Sequence, residues 1–157
     1  MSNTNILLES GTNELEIVEF FLEEPTSSGK NYVGYYGVNV AKVLEIIRMP
    51  VVTEMPQTPH PCVLGTFNLR NKVVPLVDLA SWLGKDKSDN ASDKVVVTEF
   101  NRVVSAFRVS GVTRIHRLSW EQIEPPSIQV QAYSGHSVTG VVQLERRVVF
   151  ILDMEKI

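Results

Sequence analysis

Short runs of β-branched and aliphatic residues, each followed by a turn-forming stretch, restrict the fold of this chain more than any other feature. Runs of this length and composition are typical of β-strands. The stretches between them, such as Met49 to Pro61 and Gly84 to Asp93, leave little room for the helices that connect parallel strands. The sequence therefore predicts a mostly β fold with antiparallel strands, from the runs Ile17 to Leu22, Val38 to Ile47, Val73 to Val77, Val95 to Phe100, Val103 to Val109, Val138 to Leu144 and Val148 to Leu152.

Helical signals are few in this sequence. Leu79 to Leu83 is followed by Gly84, a residue that commonly ends a helix. Ser119 precedes Trp120 and is followed three residues later by Gln122, the spacing of a capping box. One or two short helices are therefore expected.

An internal repeat relates the two halves of the chain. Similar residues recur 69 positions apart, where Val38, Val40, Val43 and Ile46 match Phe107, Val109, Val112 and Ile115. A second match, 75 positions apart, relates residues 73–79 to residues 148–154. Two similar halves in the same order are typical of two small barrels. Chance similarity between valine-rich strands is the alternative.

The polar stretch Gly84 to Asp93 is the expected link between these halves. It divides the chain into a subdomain 1 at about residues 15–84 and a subdomain 2 at about residues 93–157. The N-terminal strand is a candidate to cross between them. Residues 1–14 lack a periodic pattern, so a flexible lead-in is expected there.

Composition disfavours several classes of function. The chain has 157 residues, and its hydrophobic content of 43% is enough for a packed core. A formal net charge of only -3 disfavours nucleic-acid binding. No window approaches the roughly 18 to 20 consecutive apolar residues of a membrane helix, and the N-terminus lacks a signal-peptide layout. A cytoplasmic protein without membrane insertion is therefore expected.

No arrangement of reactive side chains predicts catalysis. The histidines lie in separate segments without ligand spacing, no glycine-rich phosphate loop is present, and Cys62 has no nucleophile signature. Asp78 and Asp153 each close an apolar run, where Asp normally caps the next turn. The sequence therefore predicts no catalytic, cofactor or metal site; the histidines are His60, His116 and His136.

The segment Val63 to Asp78 carries the strongest local pattern. Gly65 permits a close backbone approach or a positive φ, and Arg70-Asn71-Lys72 predicts a tight turn between two strands. Asn71 suits the left-handed conformation that such a turn needs. Arg70 is thus presented at a turn, either as a contact residue or as a solvated charge.

This segment resembles the signature of CheW-like domains of bacterial chemotaxis. The resemblance extends from about Leu15 to Ile157, and the segment from Leu7 to Glu16 is more similar to CheV proteins than to plain CheW. In a CheV protein a receiver domain would follow. The matching residues are Gly65, Asn68, Leu69, Arg70, Val74, Pro75, Val77, Asp78 and Leu79, with further similarity at residues 36–38, 43–46, 151–153 and 155–157.

The resemblance implies two five-stranded, SH3-like barrels and a scaffold without enzymatic activity. In that family the domain joins the cytoplasmic tip of a chemoreceptor to the regulatory domain of the histidine kinase CheA, at cytoplasmic receptor arrays. Carried over residue by residue, the receptor or kinase contacts are Val43, Glu45, Gly65, Arg70, Val95 and Ile115. Ordinary barrel core is the alternative for the three aliphatic positions, and a solvated strand face is the alternative for Glu45.

Two other classes of function stay open at this stage. An SH3-like or OB-like module would bind another peptide or an oligonucleotide, although 8% aromatic content and net acidity argue against the oligonucleotide. An enzyme whose residues assemble from distant loops is the second alternative.

Overall fold

The computed structural model describes residues 14–25, 31–54, 61–83, 93–129 and 137–154. These residues form a short helix α1 (Leu79–Trp82), two 3-10 turns (Val40–Lys42 and Trp120–Gln122) and ten strands. The strands are β1 (Glu14–Pro25), β2 (Asn31–Asn39), β3 (Val43–Arg48), β4 (Val63–Leu69), β5 (Lys72–Asp78), β6 (Lys94–Phe100), β7 (Val103–Val109), β8 (Gly111–Ser119), β9 (Val138–Leu144) and β10 (Arg147–Leu152). Of the expected lead-in at residues 1–14, only Glu14 is described, and it begins β1.

The strands form two five-stranded sheets, which confirms the mostly β prediction. The first sheet has the order β8-β1-β2-β10-β9, and the second has the order β3-β6-β7-β5-β4. The expectation of antiparallel pairing is wrong at two places, because β10 pairs with β2 and β5 pairs with β7 in parallel. Neither pair needs a crossover helix, since other strands lie between its members in the chain.

The sheets divide the chain differently from the expected boundary at residues 84–93. The second sheet is built from the continuous stretch β3 to β7, whereas the first combines β1 and β2 with β8 to β10. β1 pairs with β2 on one side and with β8 on the other, as in Leu15 opposite Leu118. Both N-terminal strands therefore lie with the C-terminal ones. The link at 84–93 joins α1 to β6 instead, and most of it lies outside the described residues.

The run Val38 to Ile47 is not one strand, because a 3-10 turn interrupts it after Asn39. The Oδ1 atom of Asn39 accepts a hydrogen bond of 2.9 Å from the backbone N–H of Ala41, which stabilises the turn. The chain thereby leaves the first sheet at β2 and enters the second at β3. Both helical predictions are confirmed: α1 begins at Leu79, and Ser119 and Gln122 form a reciprocal capping box.

The sequence repeat corresponds to equivalent places in the two sheets. The offset of 69 relates β2 to β7 and β3 to β8, and the offset of 75 relates β5 to β10. Backbone contacts repeat as well: Asp78 donates to the carbonyl of Cys62, and Asp153 to that of Ser137, both at 2.7 Å. Two backbone bridges, Thr53–Thr66 and Glu124–Val141, each join the segment after one edge strand to the opposite edge strand of its sheet. Each sheet thus curls toward an SH3-like barrel.

Three clusters of buried side chains hold these sheets. Alternate residues of each strand point to opposite faces, so that Ile17 packs inside the first sheet while Val18 packs between the sheets. Val95 packs inside the second sheet, and its neighbour Val96 packs between the sheets. The core between the sheets also contains Phe107, and it fixes the two sheets against each other.

Candidate functional site

Arg70 lies at the turn between β4 and β5, as the sequence predicts. Arg70 and Asn71 have φ values of 51° and 69°, the left-handed conformations of a two-residue hairpin turn. The Arg70 side chain is 78% exposed, and its Nη2 atom lies 2.8 Å from Oε2 of Glu45 in β3. Since β3 and β4 are opposite edges of the second sheet, this ion pair spans the gap between them. Two of the sequence-predicted residues are thus brought together.

Gly65 has a structural role beside this pair. Its φ is 150°, and a Cβ atom there would overlap the carbonyl oxygen of Thr53 and lie 2.8 Å from Cγ1 of Val52. The close approach allows two backbone hydrogen bonds between Thr53 and Thr66, of 2.8 and 2.9 Å. Gly65 therefore holds the segment that follows β3 against β4.

The aliphatic residues of the predicted contact set differ in exposure. Val95 is fully buried inside the second sheet, where it lies opposite Ile47 of β3. Val43 is half-buried and packs against the core between the sheets. Ile115 is 56% exposed and lies on β8, in the first sheet. Val95 is thus a core residue, which was the alternative to a contact role. Ile115 lies in a different sheet from the other five predicted residues.

Two apolar side chains beside Glu45 were not singled out from the sequence. β3 alternates half-buried and exposed residues, and its outward positions carry Leu44, 50% exposed, and Ile46, 41% exposed. The edge strand thus presents the ion pair on one side and these two aliphatic residues on the other, and protein interfaces combine both kinds of contact. The alternation in this strand was the available signal, but it does not tell which set of residues faces solvent.

A second ion pair that the sequence analysis did not identify lies on the first sheet. Arg114 of β8 and Glu145 of the turn after β9 are 3.8 Å apart, with side chains 65% and 66% exposed. Both positions follow from the internal repeat, because Arg114 is 69 residues after Glu45 and Glu145 is 75 residues after Arg70.

A buried carboxylate occupies the interior of the first sheet. Glu19 is fully buried, and its oxygens contact Arg147 Nε and Nη2 at 2.7 Å, His116 Nε2 at 2.7 Å and Thr113 Oγ1 at 2.6 Å. Burial by itself raises the pKa of Glu19, but the hydrogen bonds from Arg147, Thr113 and His116 outweigh it and lower the pKa to about 2. A carboxylate so fully bonded stabilises the fold and does not act as an acid or base.

Asp78, one of the carboxylates considered as a possible acid or base, makes contacts that stabilise the fold. Asp78 precedes α1 and accepts a 2.7 Å hydrogen bond from the Ser81 hydroxyl, and it also lies 3.3 Å from Arg108. Asp78 ends β5 of the second sheet, whereas Asp153 follows β10 of the first. His60 and His136 lie outside the described residues. In the described ranges, no three His, Cys, Asp or Glu side chains are grouped as metal ligands.

A groove of about 670 Å³ lies between the two sheets. Its lining includes Val38, Lys42, Phe100, Trp120 and Met154. Within the part of the chain that the structure describes, none of the helices is long and apolar enough to cross a membrane.

Comparison with known proteins assigns this architecture to a family. The model of the CheW-like domain matches residues 26–157. The chain is 40% identical over 149 residues to chemotaxis protein CheV3 of Helicobacter pylori, covering 92% of this chain and 47% of that protein. It is 31% identical over 123 residues to chemotaxis protein CheW of Klebsiella aerogenes, covering 78% of this chain and 74% of that protein.

A solved structure shares the fold. The scaffolding protein TtCheW from Thermoanaerobacter tengcongensis superimposes with a TM-score of 0.75 at 24% identity, covering 88% of each chain. The chain spans about half the length of the CheV3 relative. Because the family match covers most of the sequence, and because the sheets have the arrangement of a CheW scaffold, the chain belongs to the CheW-like domain family.

Proposed function

We propose that this chain is a non-catalytic chemotaxis scaffold that joins a chemoreceptor tip to the regulatory domain of the histidine kinase CheA. Its place would be the cytoplasmic side of receptor arrays. Family membership and the chemotaxis relatives support this function. The structural observation that carries it is the Glu45–Arg70 pair, which joins edge strand β3 to the β4–β5 hairpin, with Leu44 and Ile46 exposed on the other side of β3.

The Glu45–Arg70 pair contributes little to folding. An exposed ion pair stabilises a protein by about 0 to 1 kcal/mol, because water and salt screen it. At an interface the same Arg loses its water and fixes the register of a partner, while aliphatic neighbours supply buried area. Glu45, only 23% exposed, holds Arg70 in place before the partner arrives. Less conformational entropy is then lost on binding.

The remaining predicted residues would support this surface or extend it. Gly65 keeps the segment after β3 against β4, and Val95 of the neighbouring strand β6 packs inside the sheet opposite Ile47. Val43 begins β3, where the register with β6 shifts. Ile115 is exposed on the other sheet and is proposed as a contact on a separate face. Two faces on two sheets suit a protein that holds two partners at once.

Binding measurements test this function directly. The chain is titrated with a CheA regulatory domain and, separately, with the signalling tip of a chemoreceptor from the same organism. Saturable binding of both, and a ternary complex when both are present, is the expected result. A folded protein that binds neither partner contradicts the proposed function. Binding of a short unrelated peptide or an oligonucleotide instead would favour the alternative module.

A further inference from the structure

Two surfaces of this domain occupy equivalent places in its two sheets. The β3 face is the sheet edge formed by β3 and the β4–β5 hairpin; it carries Glu45 and Arg70, and Ile46 projects from the side of β3 opposite to Glu45. The β8 face is the sheet edge formed by β8 and the β9–β10 hairpin; it carries Arg114 and Glu145, and Ile115 projects from the side of β8 opposite to Arg114. Ile46 lies opposite Val96 and Ile115 lies opposite Val18, and both partners belong to the core between the sheets. The two isoleucines are 41% and 56% exposed. The faces therefore resemble each other in backbone and in their apolar residue.

The charges of these two faces are exchanged. On the β3 face the edge strand carries the carboxylate of Glu45 and the hairpin carries the guanidinium of Arg70, 2.8 Å apart. On the β8 face the edge strand carries the guanidinium of Arg114 and the hairpin carries the carboxylate of Glu145, 3.8 Å apart. The sequence offsets of 69 and 75 pair these residues one to one. Each face thus presents an ion pair in the opposite order.

Buried groups hold the hairpin charge of the β8 face in position. Arg147 Nη1 donates a 2.9 Å hydrogen bond to Glu145, while Nε and Nη2 of the same guanidinium bond to buried Glu19. The Glu145 carboxylate is therefore anchored through Arg147 to the interior of the sheet. A charged side chain that only contacts water does not require such an anchor.

Two similar faces on one protein must be distinguished by their partners. A partner that recognises an edge strand, an exposed isoleucine and a hairpin turn by shape fits both faces. Exposed ion pairs add little to folding, so their exchanged order is not explained by stability. Like charges placed opposite each other penalise the wrong partner, which is how proteins discriminate between similar surfaces.

We propose that Glu45–Arg70 and Arg114–Glu145 are specificity-determining pairs whose exchanged order makes each face reject the partner of the other. The β8 face then accepts a protein surface with an acidic group opposite Arg114, a basic group opposite Glu145 and an apolar side chain against Ile115. This inference rests on the proposed function, because it requires a protein partner at each face.

Site-specific crosslinking distinguishes the two faces. A photo-crosslinking amino acid is placed at Val73, which follows the hairpin of the β3 face, or at Val148, which follows that of the β8 face. These positions are 75 residues apart in the repeat and are 77% and 43% exposed. The probes are the CheA regulatory domain and the receptor tip, each used alone. In the wild-type chain, each probe should crosslink at least tenfold more from one position than from the other.

Exchanging the two charges on one face tests whether their order determines which partner binds there. Arg114→Glu with Glu145→Arg gives the β8 face the order of the β3 face, so the probe that prefers Val73 should gain crosslinking at Val148 by at least tenfold. Arg114→Glu alone leaves the contact between Glu145 and Arg147 intact and should raise that yield about threefold, even where the double variant does not fold. Glu45→Arg with Arg70→Glu should produce the reverse shift for the other probe.

The outcomes separate this inference from the proposed function. Equal yields from both positions in the wild-type chain, or a ratio that charge exchange leaves unchanged, overturn the inference while the scaffold function stands. Binding without crosslinking from either position overturns the assignment of the two faces. Absence of binding by both probes contradicts the proposed function, and the inference with it.

Discussion

The guanidinium of Arg147 donates two hydrogen bonds of 2.7 Å to the carboxylate of Glu19, although β2 lies between their strands in the first sheet. The pair therefore crosses the interior of the sheet. Thr113 and His116, both on β8, contact the same carboxylate. One buried charge thus joins β8, β1 and β10, and removing it should loosen three strands together.

Glu19→Gln is expected to lower the free energy of unfolding at pH 7 by about 3 kcal/mol, because it leaves the Arg147 guanidinium without its buried partner. Denaturant titration measures the change. Glu16→Gln, an exposed position on the same strand, is the control and should change stability by less than about 0.5 kcal/mol. Equal effects of the two substitutions would contradict the role of Glu19.

Acid should weaken the wild-type fold through the same carboxylate. The pKa of Glu19 is lowered to about 2 in the folded chain from an ordinary value of 4.5. Its contribution is therefore fully present above pH 4.5 and is lost as the pH falls toward 2, a total of about 3 kcal/mol. Unfolding curves at several pH values should show this loss in the wild type, and a correspondingly smaller loss in Glu19→Gln. Parallel pH profiles would rule out this origin.

Arg70→Glu is expected to reduce partner binding about tenfold while leaving the melting temperature within a few degrees, since the side chain is exposed and the reversal adds repulsion at a charged rim. The loss should shrink at high salt. Arg102→Glu is a matched control, because Arg102 also lies at a hairpin turn with a positive φ of 67°. Comparable loss of binding in both variants would show a general effect of charge.

Gly65→Ala should lower the free energy of unfolding by about 2 to 4 kcal/mol, because the new Cβ overlaps the Thr53 carbonyl at a φ that L-residues avoid. Gly34→Ala is the control, since the atoms nearest its Cβ belong to the Tyr36 side chain. Thermal melts compare the two variants, and a smaller change is expected for Gly34. A Gly65 variant as stable as the wild type would contradict the close approach of the Thr53 backbone to residue 65.

Val95→Ala and Ile115→Ala test which of these two residues stabilises the core and which contacts a partner. Val95 is fully buried, so its truncation should cost about 2 kcal/mol of stability. Ile115 is exposed, so its truncation should leave stability within about 0.5 kcal/mol and reduce binding of the partner at the β8 face. Denaturant curves and binding isotherms distinguish the two. An Ile115 variant that binds normally would argue against the face.

The sequence by itself determined the local structure of this protein. β-branched runs specified strands, Asn71 supported the left-handed turn that presents Arg70, and Ser119 with Gln122 predicted a cap. The repeat also indicated two similar halves, because equivalent strands meet equivalent neighbours. These features depend on residues close together in the chain.

Only the tertiary structure decided which strands share a sheet and which side chains remain exposed. β1 and β2 join the C-terminal strands because their apolar faces complete a core that the nearer strands do not supply. The alternation of a strand does not specify which of its faces a second sheet will cover, so Val95 and Ile115 looked alike in sequence although one is buried and the other exposed. Glu19 meets Arg147 across 128 positions, and Glu45 meets Arg70 across two sheet edges. Such contacts depend on long-range packing, which local patterns do not encode.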